Sequence, residues 1–219
     1  ITANDIVEVV DDEMGEDYAK LAGMTEESDI DESVFAGMRK RLPWLLVLLV
    51  FGLVVSSVVG MFEKVISGLT LIVCFQSLIL DMAGNVGTQS LAVTIRVLMD
   101  ENLAFKDKLK LVKREVSVGF FNGLILGVLS FVLIGLYIAF IKHTDIQLAF
   151  LVSGCIGISL FIAMLISSFV GTIIPMLFKA IKIDPAVASG PLITTINDLV
   201  AVITYYGLAW FLLLNIFHM

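Results

Sequence analysis

Residues 42–62 read LPWLLVLLVFGLVVSSVVGMF, a run of 21 residues without a charged side chain. A helix needs about 20 consecutive apolar residues to cross the hydrocarbon core of a bilayer. Four further apolar stretches follow at 67–98, 115–141, 147–178 and 187–217. Across the chain of 219 residues, 58% are hydrophobic and 16% are charged, which is too little polar surface for a soluble domain. The sequence therefore predicts an all-α integral membrane protein with five transmembrane helices.

Basic residues are distributed unevenly around the predicted spans. Arg39, Lys40 and Arg41 precede the first span. The connection at 99–114 holds five more, namely Lys106, Lys108, Lys110, Lys113 and Arg114. Loops on the cytoplasmic side of a membrane carry an excess of lysine and arginine. We therefore expect a cell-membrane protein whose N-terminus is cytoplasmic and whose C-terminus, after five spans, lies outside.

Residues 1–38 form a separate cytosolic segment that precedes the five-helix domain at 39–219. The segment holds 12 of the 21 acidic residues and a single basic residue. Apolar and acidic residues recur on separate faces at helical spacing, which predicts an amphipathic acidic helix over residues 1–24. A capping box formed by Thr2 and Asp5 would start this helix.

The acidic face of this helix has two interpretations. Runs of charge are usually solvated surfaces, but carboxylate oxygens also suit hard divalent ions, which would neutralise the face. The candidate regulatory ligands are Glu8, Asp11, Asp12, Glu13, Glu16 and Asp17. Because the net charge of −7 belongs to this segment and the rest of the chain is only mildly basic, no binding of nucleic acid is expected.

Two aspartates, Asp81 and Asp198, lie within predicted spans. An ionised carboxylate at the bilayer centre costs about 2.5–3.5 kcal/mol even on the lenient insertion scale, so such groups face water or a protein interior. Asp198 ends the stretch GPLITTIND at 190–198. We expect a helix that begins near residue 184 and is interrupted mid-way by Pro191. Broken membrane helices are tolerated where they line a cavity.

Four residues of this last span form the candidate metal site in the pore. Gly190, Thr194 and Asp198 recur at intervals of four residues and therefore share one helix face. Asn197 lies beside Asp198 in the sequence and adds an amide. The alternative is a kinked packing helix in which Asp198 pairs with a lysine or arginine, although the sequence places no basic residue deep in any span.

The second span carries a comparable polar face in the stretch LDMAGNVGTQS at 80–90. Its candidate pore-lining residues are Asp81, Asn85, Thr88 and Gln89. These residues lie on or near one face of a helix. The alternative is a packing seam, in which Gly84 and Gly87 let another helix approach closely and the polar groups bond between helices.

Carboxylate, amide and hydroxyl groups without a cysteine or histidine cluster indicate a hard cation. Oxygen ligands favour Mg²⁺, Ca²⁺ or Mn²⁺ over softer metals. Mg²⁺ loses water so reluctantly that it would be held largely through its hydration shell. Cys74 and Cys155 are interpreted as packing residues. Glu63 and Glu115, at the predicted ends of spans, either line the conduit or lie at its interfaces.

Four motifs resemble those of the MgtE magnesium transporters and their eukaryotic relatives. They are GNVGTQS at 84–90, DPAVASGPLITTINDL at 184–199, RLPWLL at 41–46 and VEVVDDEMGED at 7–17. The resemblance covers essentially the whole chain. It implies a homodimeric Mg²⁺ channel with five helices per subunit and a pore along the dimer axis.

The resemblance also implies roles for individual positions. The residue at the position of Asp198 binds the ion, and Gly190 and the backbone of Thr194 lie beside it. A connecting helix that matches residues 3–24 plugs the pore when Mg²⁺ binds between its acids and those of cytosolic CBS modules. Neither these modules nor the N-terminal acidic domain of the family is in this sequence, so we expect them as sensor partners from a longer chain.

Passive uptake of Mg²⁺, driven by the membrane potential, is therefore the leading interpretation, and no enzymatic activity is expected. A Na⁺- or H⁺-coupled divalent cation exchanger is the alternative within transport. Intramembrane aspartyl proteases also use two aspartates, but their Gly-x-Gly-Asp context is absent here, because Asp198 follows Ile-Asn. A scaffold without transport activity is the remaining class.

Overall fold

The computed structural model describes residues 2–26, 31–63, 67, 70–99 and 103–216, so residue 217, the predicted end of the last span, lies outside it. Every element within these ranges is helical. The helices are α1 (Ala3–Leu21), α2 (Val34–Met61), α3 (Thr70–Leu98), α4 (Phe105–Leu136, continued by a π-helical turn at Tyr137–Ile141), α5 (Ile146–Ala180) and α6 (Gly190–Ala209, continued by a π-helical segment at Trp210–Ile216). Five of them, α2 to α6, are long and apolar enough to cross a membrane, which confirms the predicted fold class.

Two membrane helices begin earlier than the sequence indicated. α2 starts at Val34, capped by the side chain of Ser33, so Pro43 lies inside the helix. α4 starts at Phe105 rather than at residue 115, and its first turns carry the cluster of basic residues. Lysine and arginine are good helix formers. The boundary of an apolar run therefore marks only the apolar part of a helix. The helix itself can begin several residues earlier, in a polar or basic stretch.

The last predicted span contains a break, but not at the expected place. Pro185–Val187 forms a short 3₁₀ turn, capped by Asp184, whose carboxylate accepts from the backbone N–H of Ala186 at 2.9 Å. A new helix then begins at Gly190, with Pro191 in its first turn. The expectation of one helix interrupted mid-way by Pro191 is therefore wrong. A proline fits the first turn, where its missing N–H costs no intrahelical hydrogen bond.

α5 is the central helix of the bundle and packs against α3, α4 and α6. Its contact with α4 is made by small residues, among them the buried Gly119, Gly123 and Gly127. A Cβ atom on Gly127 would lie 2.8 Å from the backbone oxygen of Gly157, so the two backbones approach as closely as glycine allows. Close packing of this kind is a main source of helix association in lipid, where the hydrophobic effect does not act between helices.

Two buried tyrosines join α3 to the C-terminal half of α6. The hydroxyl of Tyr205 donates to the backbone oxygen of Ile72 at 2.7 Å, and that of Tyr206 donates to Oε1 of Gln76 at 2.5 Å. A buried hydroxyl without such a partner costs at least about 1 kcal/mol, so these bonds fix the register of the two helices. α2 packs mainly against α6 and contributes no buried residue.

Candidate cation site

The first turns of α6 position the three residues predicted to share a face. Ser189 caps the helix with its side chain. From there the helix runs without interruption, and regular geometry keeps Gly190, Thr194 and Asp198 on one side. All three residues are half-buried. We call them the α6 face.

Asp198 is a half-buried carboxylate within a membrane-spanning helix. Among the described residues, the ion pairs of this protein all use Lys20 or Lys40, and none reaches Asp198. The alternative, in which Asp198 pairs with a lysine or arginine, is therefore not found among the described residues. Carboxylates in membrane helices face a protein interior or a water-filled cavity, which makes Asp198 a candidate residue of an ion pathway.

Asn197 does not lie with the α6 face. Its side chain is fully buried. A Cβ atom on Gly87 would lie 1.8 Å from Nδ2 of Asn197, so the amide fills the space that the glycine of α3 leaves open. Within the described part of the chain, neither amide atom of Asn197 has a hydrogen-bond partner. Asn197 packs α6 against α3 here, and its role as a ligand stays a prediction.

The predicted polar face of α3 is exposed on the outside of the single subunit. Asp81, Asn85 and Gln89 are all exposed, and we call them the α3 stripe. Nδ2 of Asn85 donates to Oδ2 of Asp81 at 3.2 Å. Thr88 is half-buried, and its hydroxyl donates to the carbonyl of Gly84 within the same helix at 2.5 Å. The stripe therefore presents a carboxylate and two amides to whatever covers this side of α3.

The close packing at Gly84 and Gly87 that the alternative included is present on a different face of α3, whereas the described hydrogen bonds of Asn85 and Thr88 stay within α3. A Cβ atom on Gly84 would lie 3.1 Å from Cγ2 of Thr194. Because α3 and α6 run antiparallel, this contact places Asp81 within about one helical turn of the level of Asp198. The two intramembrane carboxylates thus lie at similar depth on neighbouring helices. Within the described ranges, no group of three or more His, Cys, Asp or Glu residues converges to hold a metal ion.

Comparison with known protein families finds a match that includes most of α3 and of α6. The model of the MgtE family, described as a divalent cation transporter, matches residues 76–208, which include both the α3 stripe and the α6 face. The chain belongs to the MgtE family.

Several curated MgtE proteins align with nearly all of this chain. The magnesium transporter MgtE of Bacillus subtilis is 37% identical over 209 residues, and that of Enterococcus faecalis is 37% identical over 214 residues. The alignment with the magnesium transporter MgtE of Thermus thermophilus has 30% identity over 219 residues. These alignments cover 95% to 97% of this chain but only 44% to 46% of the relatives, so the chain spans less than half of their length.

The two carboxylates of undecided role lie outside the α3 stripe and the α6 face. Glu115 is buried where α4 packs against α5, and Ser168 donates to its backbone carbonyl at 2.7 Å. Glu63 is exposed beyond the end of α2. Of the two free cysteines, Cys155 is buried within α5 and Cys74 is exposed on α3.

The acidic helix of this MgtE chain forms as predicted, with both hydrogen bonds of the capping box between Thr2 and Asp5. The side chain of Glu8 lies outside the described part of the structure. Of the other candidate regulatory ligands, those that are exposed are Asp11, Asp12, Glu13 and Glu16, and Asp17 is half-buried. Among the described acids, no group of three or more converges to hold a metal ion.

The C-terminal end of α1 docks on the connection between α5 and α6. Nζ of Lys20 donates to Oδ2 of Asp184 at 2.9 Å and lies 3.4 Å from Oε2 of Glu16. The hydrogen bond from Lys20 to Asp184 raises the pKa of the lysine. Burial alone would raise the pKa of Asp184, but the N–H of Ala186 and the Lys20 ammonium outweigh it, so the pKa of Asp184 is lowered.

The docking of α1 should therefore not depend on pH between about pH 5 and pH 9. The depressed pKa of Asp184 means that its contribution is lost only as the pH falls below the ordinary carboxylate range. The raised pKa of Lys20 means that its contribution is lost only as the pH rises above the ordinary lysine range. Distances between spin labels on Glu13 and Phe105, in a cysteine-free background, measure this directly. A change in those distances near neutral pH would contradict the assignment.

Sequence reasoning missed one contact of this region. Nε1 of Trp44 donates to Oγ of Ser189 at 3.1 Å. A tryptophan in an apolar membrane segment needs an acceptor for its N–H, so Trp44 in the RLPWLL motif was a signal that a partner existed. The identity of the partner depends on how α2 and α6 pack, which no local pattern contains.

Proposed function

We propose that this chain forms the ion pathway of a Mg²⁺ channel, assembled as a homodimer. In this proposal the α3 stripes and α6 faces of two subunits enclose a water-filled pore. Asp198 carries the argument, because it is a half-buried membrane carboxylate and no basic residue of the described chain neutralises it. The relatives in the MgtE family are magnesium transporters by name, which supports Mg²⁺ as the ion.

The exposure of the α3 stripe supports the proposed homodimer. Asp81, Asn85 and Gln89 are exposed on a helix that is long enough to span a membrane. A carboxylate and two amides facing hydrocarbon would be costly, since charged and polar residues in membrane helices face a protein interior or a water-filled cavity. A second copy of the chain, placed with its own stripe opposite, would cover this side and leave water between the two stripes.

The ion in this proposal remains largely hydrated. Mg²⁺ prefers six oxygen ligands and keeps several of its waters. Asp198, Thr194 and the backbone at Gly190 would then contact its hydration shell, with the α3 stripe on the opposite side of the water column. Mn²⁺ and Ca²⁺ have the same preference for oxygen, so selectivity against them depends on the width of the passage.

The membrane potential suffices to drive entry. Moving two positive charges inward gains about 4.6 kcal/mol per 100 mV. We therefore expect purified protein in liposomes to admit Mg²⁺ when a K⁺ diffusion potential is imposed, with equal Na⁺ and pH on both sides. Uptake that requires a Na⁺ or H⁺ gradient would instead establish the coupled exchanger.

We place the N-terminus and α1 on the cytoplasmic side, where the basic first turns of α4 and the Arg39–Arg41 cluster also lie. The acids of α1 then face the cytosol. They would bind Mg²⁺ together with acidic groups of cytosolic modules, because α1 alone does not assemble a site within its described residues. This arrangement would let the internal Mg²⁺ level regulate the pore.

Replacing Asp81 by asparagine should reduce Mg²⁺ flux by up to about fivefold, because a water-exposed carboxylate contributes at most about 1 kcal/mol to an ionic interaction. The side-chain oxygen of an asparagine can still accept the hydrogen bond from Asn85, so folding should be unaffected. Asp81→Glu, which keeps the charge, is the matched control and should retain flux. Liposome uptake at several Mg²⁺ concentrations measures both variants. An Asp81→Asn protein with wild-type flux and ion preference would remove Asp81 from the pathway.

A further inference from the structure

Trp44, in the N-terminal half of α2, contacts two other elements of the protein at once. The backbone turn that ends α1 lies against the indole ring: a Cβ atom on Gly23 would lie 2.3 Å from Cδ1 of Trp44. Gly23 has φ of +76°, a conformation that favours glycine. The indole nitrogen Nε1, which would lie 2.6 Å from the same Cβ, donates its N–H to Oγ of Ser189 at 3.1 Å.

Ser189 connects the indole to the helix that carries Asp198. Its side chain is buried, with 1% exposure, and caps α6 by accepting from the backbone N–H of Leu192 at 3.4 Å. One hydroxyl therefore accepts both the indole N–H and an N–H of the first helical turn. Gly190, the first residue of the α6 face, follows directly, and a Cβ atom placed on it would lie 3.6 Å from the carbonyl oxygen of Leu21.

We propose that Trp44 is a positioning residue that links the docked end of α1 to the first turn of α6, and through it to the α6 face. The inference rests on the proposed function, because it assumes that this face holds the ion. When α1 is docked, the Gly23 turn presses the indole against Ser189 and holds the cap of α6 in one geometry. When α1 leaves, the indole loses its contact with the Gly23 turn, and the cap of α6 loses this support. By reciprocity, an ion on the α6 face then favours docking of α1.

The chemistry of the contact favours tryptophan over other aromatic residues. The flat ring provides a surface for the glycine turn, and the N–H provides the donor. An aromatic residue that served only as an interfacial anchor would direct its polar group to headgroup water. Here the polar group instead meets a hydroxyl that is buried inside the protein.

Two sets of variants test the link. Trp44→Phe keeps a ring against Gly23 but removes the donor, and Ser189→Ala removes the acceptor. Gly23→Ala changes only the turn that ends α1, but its new Cβ would collide with the indole, 2.3 Å from Cδ1 and 2.6 Å from the donor nitrogen Nε1. Gly37→Ala is its control, since nothing lies within 4 Å of a Cβ at that position of α2. Trp210→Phe, at the other end of α6, controls for loss of an indole.

The first measurement is amide hydrogen exchange of residues 189–193 in the protein reconstituted in lipid nanodiscs. Trp44→Phe, Ser189→Ala and Gly23→Ala should each accelerate exchange there by about two- to tenfold, the range expected for one hydrogen bond. The two controls should not. This measurement does not depend on transport, so it succeeds or fails independently of the proposed function.

The second measurement is the Mg²⁺ concentration that gives half-maximal uptake. It should rise by about two- to tenfold in Trp44→Phe and in Ser189→Ala. The double variant should show no more than the larger single effect, because both changes remove one interaction. Unchanged exchange in Gly23→Ala, or independent effects that multiply in the double variant, would overturn the proposal. So would faster exchange without any change in the half-maximal concentration, because Trp44 would then contribute to packing alone.

Discussion

Replacing Asp198 by alanine should abolish Mg²⁺ uptake while leaving the protein folded. At an effective dielectric constant of 20, unit charges 4 Å apart attract by about 4 kcal/mol, which corresponds to roughly a thousandfold in binding. Asp198 is half-buried and has no basic partner among the described residues, so its removal leaves no other charge unpaired. The measurement is uptake of Mg²⁺ by liposomes under an imposed membrane potential.

Two further variants separate charge from shape at this position. Asp198→Asn has nearly the same size but no charge, and it should lose uptake as Asp198→Ala does. Asp145→Asn applies the same chemical change to an exposed aspartate that caps α5. It should retain uptake, because asparagine caps helices as well as aspartate does. Full uptake by well-folded Asp198→Ala would show that the ion passes elsewhere.

The features that sequence reasoning predicted correctly are those with a local physical cause. Five helices follow from apolar runs that match the thickness of a bilayer, and this cause does not depend on how the helices pack. The capping box of Thr2 and Asp5 forms between residues three positions apart, so it also could be predicted. The location of Asp198 within a membrane-spanning helix was predictable for the same reason, whereas its role as an ion ligand stays a prediction.

Local sequence patterns were less informative about where a side chain lies once the helices pack, as Asn197 and Pro191 show. Asn197 precedes Asp198 in the chain, but successive residues on a helix point about 100° apart. One side chain therefore packs into the space beside Gly87, while the other lies on the α6 face. Pro191 indicated a break in a helix, yet it marks the start of one, because Ser189 provides a cap immediately before it.

Replacing Gly171 by alanine should destabilise the bundle more than other glycine substitutions in α5. A Cβ atom on Gly171 would lie 2.2 Å from the carbonyl oxygen of Gly87, and 3.0 Å and 3.1 Å from its C and Cα. These atoms belong to the backbone of α3, so no side chain can turn away to make room. Helices α3 and α5 would have to separate, which costs about 1–3 kcal/mol or more.

The separation should also disturb contacts on both sides of this crossing. The hydroxyls of Ser90 and Ser168, 2.9 Å apart, join the same two helices. On its opposite side, Gly87 packs against the amide of Asn197, next to Asp198. We therefore expect a thermal midpoint lower by roughly 2–12 °C in detergent, together with reduced uptake by whatever fraction remains folded.

Gly154→Ala is the matched control, because it makes the same change in the same helix. The nearest atom to a Cβ on Gly154 is Cε2 of Phe131 at 3.7 Å, an ordinary contact distance. Alanine also has the higher helix propensity, by about 1 kcal/mol, so this variant should be at least as stable as the parent. If both variants melted at the parent temperature, the close crossing at Gly171 and Gly87 could not be what holds α3 beside α5. The site on α6 would then need another source of rigidity.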